Sequence, residues 1–155
     1  MSEPSTRLRA VLTTDQKGAA AELAIAHIAS ELGVGVFKPL TDGERYDLIF
    51  DFRPRLVRVQ CKWAAVAGDV LIVRCRSCRR TRAGLLHRAY TADEVDAIAA
   101  YSPELRRGFY VPIDLLGGRS DLQLRLAPSR NNQRLGINWA DDFALEARLT
   151  DLLGP

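Results

Sequence analysis

Residues 46–63 read YDLIFDFRPRLVRVQCKW, and the fold turns on how this stretch is parsed. Alternating apolar and polar positions predict two strands, Tyr46–Phe52 and Leu56–Lys62, joined at Arg53-Pro54-Arg55. In the first, Leu48, Phe50 and Phe52 point one way and Asp47, Ile49 and Asp51 the other. In the second, Val57, Val59 and Cys61 share a face, while Arg58, Gln60 and Lys62 share the opposite one. Folded as a hairpin, the segment sets the Asp47 carboxylate against a carboxamide and an ammonium on the neighbouring strand. That combination suits a divalent cation and a phosphodiester. Asp51, two positions along, reads as the exit of the hairpin.

Upstream, Thr14 is expected to cap a helix over Asp15–Leu32, with Ala20, Leu23, Ala24, His27, Ile28 and Leu32 on its apolar face and Gly33 as its stop. Glu22 lies beside that face, and His27 reads as a core or edge position. Val34–Leu40 is expected as a short strand and Thr41–Glu44 as a turn. Downstream, Val70–Arg76 is expected as a strand and Ser77–Ala89 as a basic, mobile loop. Thr91 is placed as the cap of a second helix, with Asp93 and Glu94 in its first turn and Val95, Ile98 and Ala99 on its apolar side. Gly108–Ile113 and the alternation of Leu122, Leu124 and Leu126 predict further strands, and Ala140–Leu153 a closing helix. Together these elements predict an α/β fold: a central mixed β-sheet flanked by helices, in one domain over 14–155 behind a loose arm at 1–13.

A chain of 155 residues can bury a core without disulfides or structural metal. Nothing in it approaches the apolar run of ~20 residues that a membrane helix needs, and the first residues carry no export signature. Three cysteines argue against a disulfide framework and for a reducing cytoplasm. Between Arg53 and Arg88 there are ten basic residues and a single acid, Asp69, a net charge of +9 against −6 for the remainder. Such concentration is the footprint of a polyanion binder. Lysine is scarce: Lys17, Lys38 and Lys62 are the only three among twenty-two basic residues, and at position 62 a compact, tunable ammonium stands where the chain elsewhere prefers arginine.

Phosphodiester hydrolysis needs a cation to neutralise the phosphate, an activated water and a stabilised leaving oxygen. Asp47 supplies one carboxylate, Gln60 a neutral oxygen, and Glu22 a second negative charge. This hard oxygen set suits Mg²⁺ or Mn²⁺. Lys62 is placed to orient the attacking water or to stabilise developing charge. Arg58, Arg74, Arg76, Arg79, Arg80 and Arg82 are expected to contact the phosphate backbone, and Arg130, Asn131 and Asn132 to reach base edges. Cys75 and Cys78 form a lone CxxC; with Cys61 and His87 it is a weak zinc pattern. Trp63 and Trp139 read as core residues.

The ordered set of Glu22, Asp47 and Gln60-x-Lys62 resembles the PD-(D/E)XK nucleases. That superfamily carries an acid on one strand, an acid-x-lysine triplet on the next, and often a glutamate on the preceding helix. Tyr46 stands in place of the proline, and Gln60 in place of the usual acid, as in a branch that includes group I intron homing endonucleases. The likeness continues through YTADEVDAIAAY, GFYVPID and NNQRLGINWA. It implies a restriction-endonuclease-like fold and a metal-dependent DNA endonuclease of homing, repair or restriction type, acting as a homodimer or higher homo-oligomer. A junction-resolvase-like nuclease, a non-catalytic DNA-binding module on the same fold, and an arginine-rich protein-interaction domain are the competing readings.

Overall fold

The computed structural model describes residues 11–155; of the predicted N-terminal arm, residues 1–10 lie outside the described residues. The chain runs α1 (Thr14–Glu31), β1 (Gly35–Phe37), β2 (Leu48–Asp51), β3 (Leu56–Trp63), β4 (Ala65–Ala67), β5 (Val70–Arg74), β6 (Arg76–Thr81), β7 (Gly84–Ala89), β8 (Ala97–Ser102), β9 (Arg107–Pro112), β10 (Asp121–Arg125) and α2 (Leu145–Leu153). Short 3₁₀ turns lie at Ile113–Leu115 and Ala140–Phe143. The main sheet has the order β1-β2-β3-β8-β9. Its pairings are antiparallel except between β3 and β8, which run parallel, so the sheet is mixed as expected.

The predicted hairpin forms with the predicted faces, and its register sets Leu48 opposite Val59 and Phe50 opposite Val57. Those four side chains face α1 and α2 and pack with Ile25, Ala29, Leu145 and Leu149. A second core lies on the other side of the sheet, where Ile98, Ala100, Phe109 and Val111 meet Leu71, Val73, Leu122 and Leu124 of the three-stranded sheet β10-β5-β4. Gln60 and Lys62 are register partners of Ile98 and Ala100, so they occupy this second face where its cover thins out. Asp51 accepts a hydrogen bond from the Arg53 N–H at 2.8 Å and closes the turn, as a hairpin exit should.

Six expectations are corrected. Thr13, not Thr14, caps α1 through a reciprocal box with Gln16. The helix is rotated from its predicted face. The wholly buried stripe is Ala21-Ile25-Ala29, whereas Leu23 is 72% exposed and His27 is exposed and paired with Glu31; small side chains let the helix approach the sheet closely. The helix expected after Thr91 is instead a turn followed by β8. Ala97, Ile98, Ala99 and Ala100 are all fully buried, alternating between the two cores, and a strand buried on both faces loses the period of two that marks a half-exposed strand. The basic loop at 77–89 is an antiparallel two-stranded ribbon, β6–β7. The closing helix divides into the turn at Ala140–Phe143 and α2. Trp63 and Trp139 are only half-buried.

Arg58 is the anchor of the parallel pairing rather than a free cation. Its N–H and Nε donate to Asp96 Oδ2 at 2.8 and 3.1 Å, Nη2 to Asp96 Oδ1 at 3.1 Å and to the Ala92 carbonyl at 3.0 Å, and Nη1 to the Asp93 carbonyl at 2.6 Å. The Asp96 N–H returns a bond to the Arg58 carbonyl at 2.9 Å, one residue before β8 begins. Burial works against the Asp96 carboxylate, but the bonds and charge of Arg58 outweigh it and hold its pKa below the ordinary value. These bonds give Arg58, expected from the sequence to face DNA, a structural part in the sheet. Arg58→Ala removes charge-assisted bonds and is expected to lower unfolding stability by about 1.5–3 kcal/mol, read as a shifted urea midpoint with unchanged m value.

Candidate active site

Asp47 sits one residue before β2, where its N–H donates to the Val59 carbonyl at 2.9 Å and extends the hairpin ladder. This places its side chain across from Gln60. Asp47 Oδ2 accepts from Gln60 Nε2 at 2.6 Å and from the Cys61 N–H at 2.8 Å. Gln60 Nε2 also donates to the Cys61 carbonyl at 3.4 Å. Both amide protons are thereby directed inward, and the carboxamide oxygen is left as an acceptor.

The carboxyl of Asp47 is pushed above its ordinary value, first by burial and then by the nearby charge of Glu22; the Cys61 N–H and the ammoniums of Lys62 and Lys38 oppose this without cancelling it. A carboxylate disfavoured in its ionised form by burial and by a neighbouring negative charge gains from a cation. Lys38 partly meets that demand, because its Nζ contacts Glu22 Oε2 directly and its pKa is raised by that bond and charge.

Lys62 is half-buried, and its Nζ donates to the Tyr90 hydroxyl at 3.0 Å and to the Arg76 carbonyl at 3.1 Å. Burial lowers its pKa, partly offset by Asp47, while the guanidinium of Arg45 adds to the lowering. Burial pushes the Tyr90 phenol up to about 12. Tyr90 therefore stays neutral while it holds the amine, and Arg45 stacks 4.3 Å above the centre of its ring.

Asp47 separates two adjoining hollows. The smaller, about 110 Å³, is lined by Glu22, Lys38, Tyr46 and Asp47 among others. The larger, about 390 Å³, is lined by Asp47, Gln60, Arg45, Arg79, Arg88 and Tyr90 among others. The structure thus gathers Glu22, Asp47 and Gln60 around one boundary, with Lys62 on the same strand face as Gln60. Carboxylate and amide oxygens are the donors that Mg²⁺ or Mn²⁺ prefers, and the donor set fits such an ion. Among the described residues, no three His, Cys, Asp or Glu side chains gather closely enough to hold a metal by themselves; the amide of Gln60 lies against Asp47.

The remaining cations divide. Arg79 and Arg88 reach the larger hollow, with Arg88 also paired to Glu94. Arg74, Arg80 and Arg82 are exposed, and Arg76 is half-buried with its guanidinium 3.9 Å from Asp121. Arg130, Asn131 and Asn132 are exposed on the 128–136 segment, outside both hollows. Cys61 and Cys75 are buried and Cys78 is exposed. Lys38, Tyr90 and Arg45 escaped the sequence reading. The scarcity of lysine was a signal for Lys38; nothing local marks Tyr90 or Arg45, whose roles arise from long-range packing.

A family model described as PD-(D/E)XK endonuclease matches residues 12–146. Among solved structures, a bacterial homing endonuclease, I-Ssp6803I, is similar with a TM-score of 0.73 and 27% identity, over 91% of this chain and 94% of that one. Comparison with curated proteins found no significant match.

The raised pKa of Asp47 has a definite sign for stability. The folded state takes up a proton at higher pH than the unfolded chain does, so this carboxyl destabilises the metal-free fold near neutrality. Stability is recovered as pH falls through the folded pKa toward the ordinary 3.8. Asp47→Asn keeps an oxygen for the Cys61 N–H and removes the charge. It is expected to raise the melting temperature of the metal-free protein at pH 7, with the gain shrinking toward pH 4, as followed by calorimetry across that range.

Proposed function

The chain belongs to the PD-(D/E)XK endonuclease family, and on that premise we propose that it cuts DNA with Mg²⁺ or Mn²⁺ held by Asp47, Glu22 and Gln60 and with Lys62 as its catalytic amine. The observation that carries this reading is the 2.6 Å contact of Asp47 with Gln60, beside a second carboxylate and two residues from a half-buried lysine. When bound, the cation neutralises the phosphate and acidifies a water.

The chain's own residues do the positioning. The Cys61 N–H and Gln60 fix Asp47 through Oδ2, which leaves its other oxygen and the Gln60 carboxamide oxygen as acceptors on two residues that line the hollow. Tyr90 and the Arg76 carbonyl hold Lys62 Nζ at a set place, and its lowered pKa brings proton exchange closer to neutral pH. Arg79 and Arg88 supply positive charge on the wall where a phosphate would enter. Arg74, Arg76, Arg80, Arg82, Arg130, Asn131 and Asn132 extend the DNA-facing set beyond the hollow. Cutting both strands calls for two sites, and so for a homodimer or higher assembly. The free thiols, two of them buried, fit a cytoplasmic setting. No helix among the described residues is long and apolar enough to cross a membrane.

Cleavage of supercoiled plasmid, linear duplex and a four-way junction, each in Mg²⁺, Mn²⁺ and EDTA, tests the reading and sorts its substrates. EDTA is expected to abolish cutting. Asp47→Ala and Lys62→Ala are expected to lower the rate at least about 10²-fold with circular dichroism unchanged; full activity in both variants overturns the assignment. Removing the ammonium that occupies Glu22 bears on the metal alone. Lys38→Ala is expected to tighten Mn²⁺ binding about two- to five-fold by calorimetry, the size of an exposed ion pair.

A further inference from the structure

Among the described residues, the β6–β7 ribbon pairs with no other strand. All residues from Cys78 to Arg88 are exposed, and they include Arg79, Arg80, Arg82 and Arg88 with no acid. A two-stranded hairpin standing alone in water is marginally stable. This one is secured only at its root. Arg45 donates to Ser77 Oγ at 2.8 Å and to the Ala89 carbonyl at 3.3 Å, Lys62 donates to the Arg76 carbonyl, and Arg88 pairs with Glu94. Beyond that root, its residues from Cys78 to Arg88 are exposed among the described residues.

Its two faces differ. The register sets Ser77 opposite Arg88 and Arg79 opposite Leu86, and these four side chains line the hollow shared with Asp47 and Gln60. The other face pairs Cys78 with His87 and Arg80 with Leu85 and lies outside that hollow. Leu85 and Leu86 are 60% and 56% exposed, so apolar side chains stand among the arginines on both faces. Arginine forks recognise guanine edges, and apolar groups recognise the thymine methyl. A purely electrostatic arm has no use for the leucines.

The major groove of duplex DNA, about 12 Å wide, admits a two-stranded β-ribbon. Six-residue strands extend about 20 Å, on the order of half a helical turn of base pairs. We propose that the β6–β7 ribbon is the element that reads DNA sequence, lying in the major groove beside the phosphate being cut. The inference rests on the endonuclease reading for its substrate, and it adds the groove, the reading element and the extent of the site.

The test uses the full chain and two probes in EDTA, where binding is read without cutting: a mixed-sequence natural duplex, and one whose major groove is filled by glucosylated hydroxymethylcytosine. Filling the groove is expected to weaken binding at least about ten-fold. Arg80→Ala/Arg82→Ala, at exposed positions, is expected to weaken binding to the plain duplex about five- to hundred-fold. On a randomised duplex library with Mg²⁺, the same variant is expected to cut with altered base preferences spanning about half a turn on one side of the cut, whereas loss of a phosphate contact alone lowers the salt slope without changing preference. Equal binding to filled and unfilled duplexes, or unchanged base preferences in the variant, overturns the proposal. Groove-dependent binding by a chain that cuts none of these DNAs supports the ribbon's role and overturns the endonuclease reading instead.

Discussion

The arrangement depends on one cross-strand contact, the carboxylate of Asp47 held by the Gln60 amide and the Cys61 N–H. It is a costly interaction to maintain. Burial and the charge of Glu22 both disfavour the ionised form, and only hydrogen bonds and two lysines oppose them. A carboxylate kept under such conditions is stabilised by whatever cation arrives, and the same conditions make the metal-free fold weaker than it need be. Strain of this kind at a site, offset by packing elsewhere, is how structural and chemical demands are commonly reconciled.

That contact is possible because the sheet has two unlike faces. On the helix side, Leu48, Phe50, Val57 and Val59 bury completely or nearly so against α1 and α2. On the other side, the three-stranded sheet packs against β8 and β9, and β3 meets it only slightly, through β5. Gln60 and Lys62 therefore lie on a partly covered margin. There Lys62 is dry enough for burial to depress its pKa, while Gln60 and the Tyr90 that holds the lysine border the larger hollow. Arg58 and Asp96 lock the parallel strand β8 next to β3, two residues along β3 from Gln60.

The hairpin and its polar face were legible because the signal is local. A period of two with one polar face specifies strand, register and side at once. The first helix was recognisable but its rotation was not, since Ala20, Ala21, Ala24 and Ala26 leave several faces equally apolar and only contact with the sheet selects among them. β8 was misread for the same physical reason: AIAA is buried on both sides, and alanine runs favour helix when nothing else decides. Glu22, Asp47, Gln60 and Lys62 could be named from type and order. Lys38, Tyr90 and Arg45 could not, because their parts depend on contacts across 16 to 44 residues of chain.

The charge pattern sharpens once these contacts are known. Of the ten basic residues between Arg53 and Arg88, Arg58 is fixed by Asp96, Lys62 by Tyr90 and a carbonyl, and Arg88 is paired with Glu94. Arg79, Arg80 and Arg82 then stand out as a group of exposed guanidiniums on one projecting ribbon. A net charge summed over a segment treats all cations alike. The fold instead separates those that hold the structure together from those left facing water, and only the latter attract a polyanion at long range. The basic stretch is therefore two things in one run of sequence: a clamp that sets the hollow in place and an arm that extends from it. The Arg76 carbonyl, which accepts the Lys62 amine at the ribbon's first residue, is where the two meet.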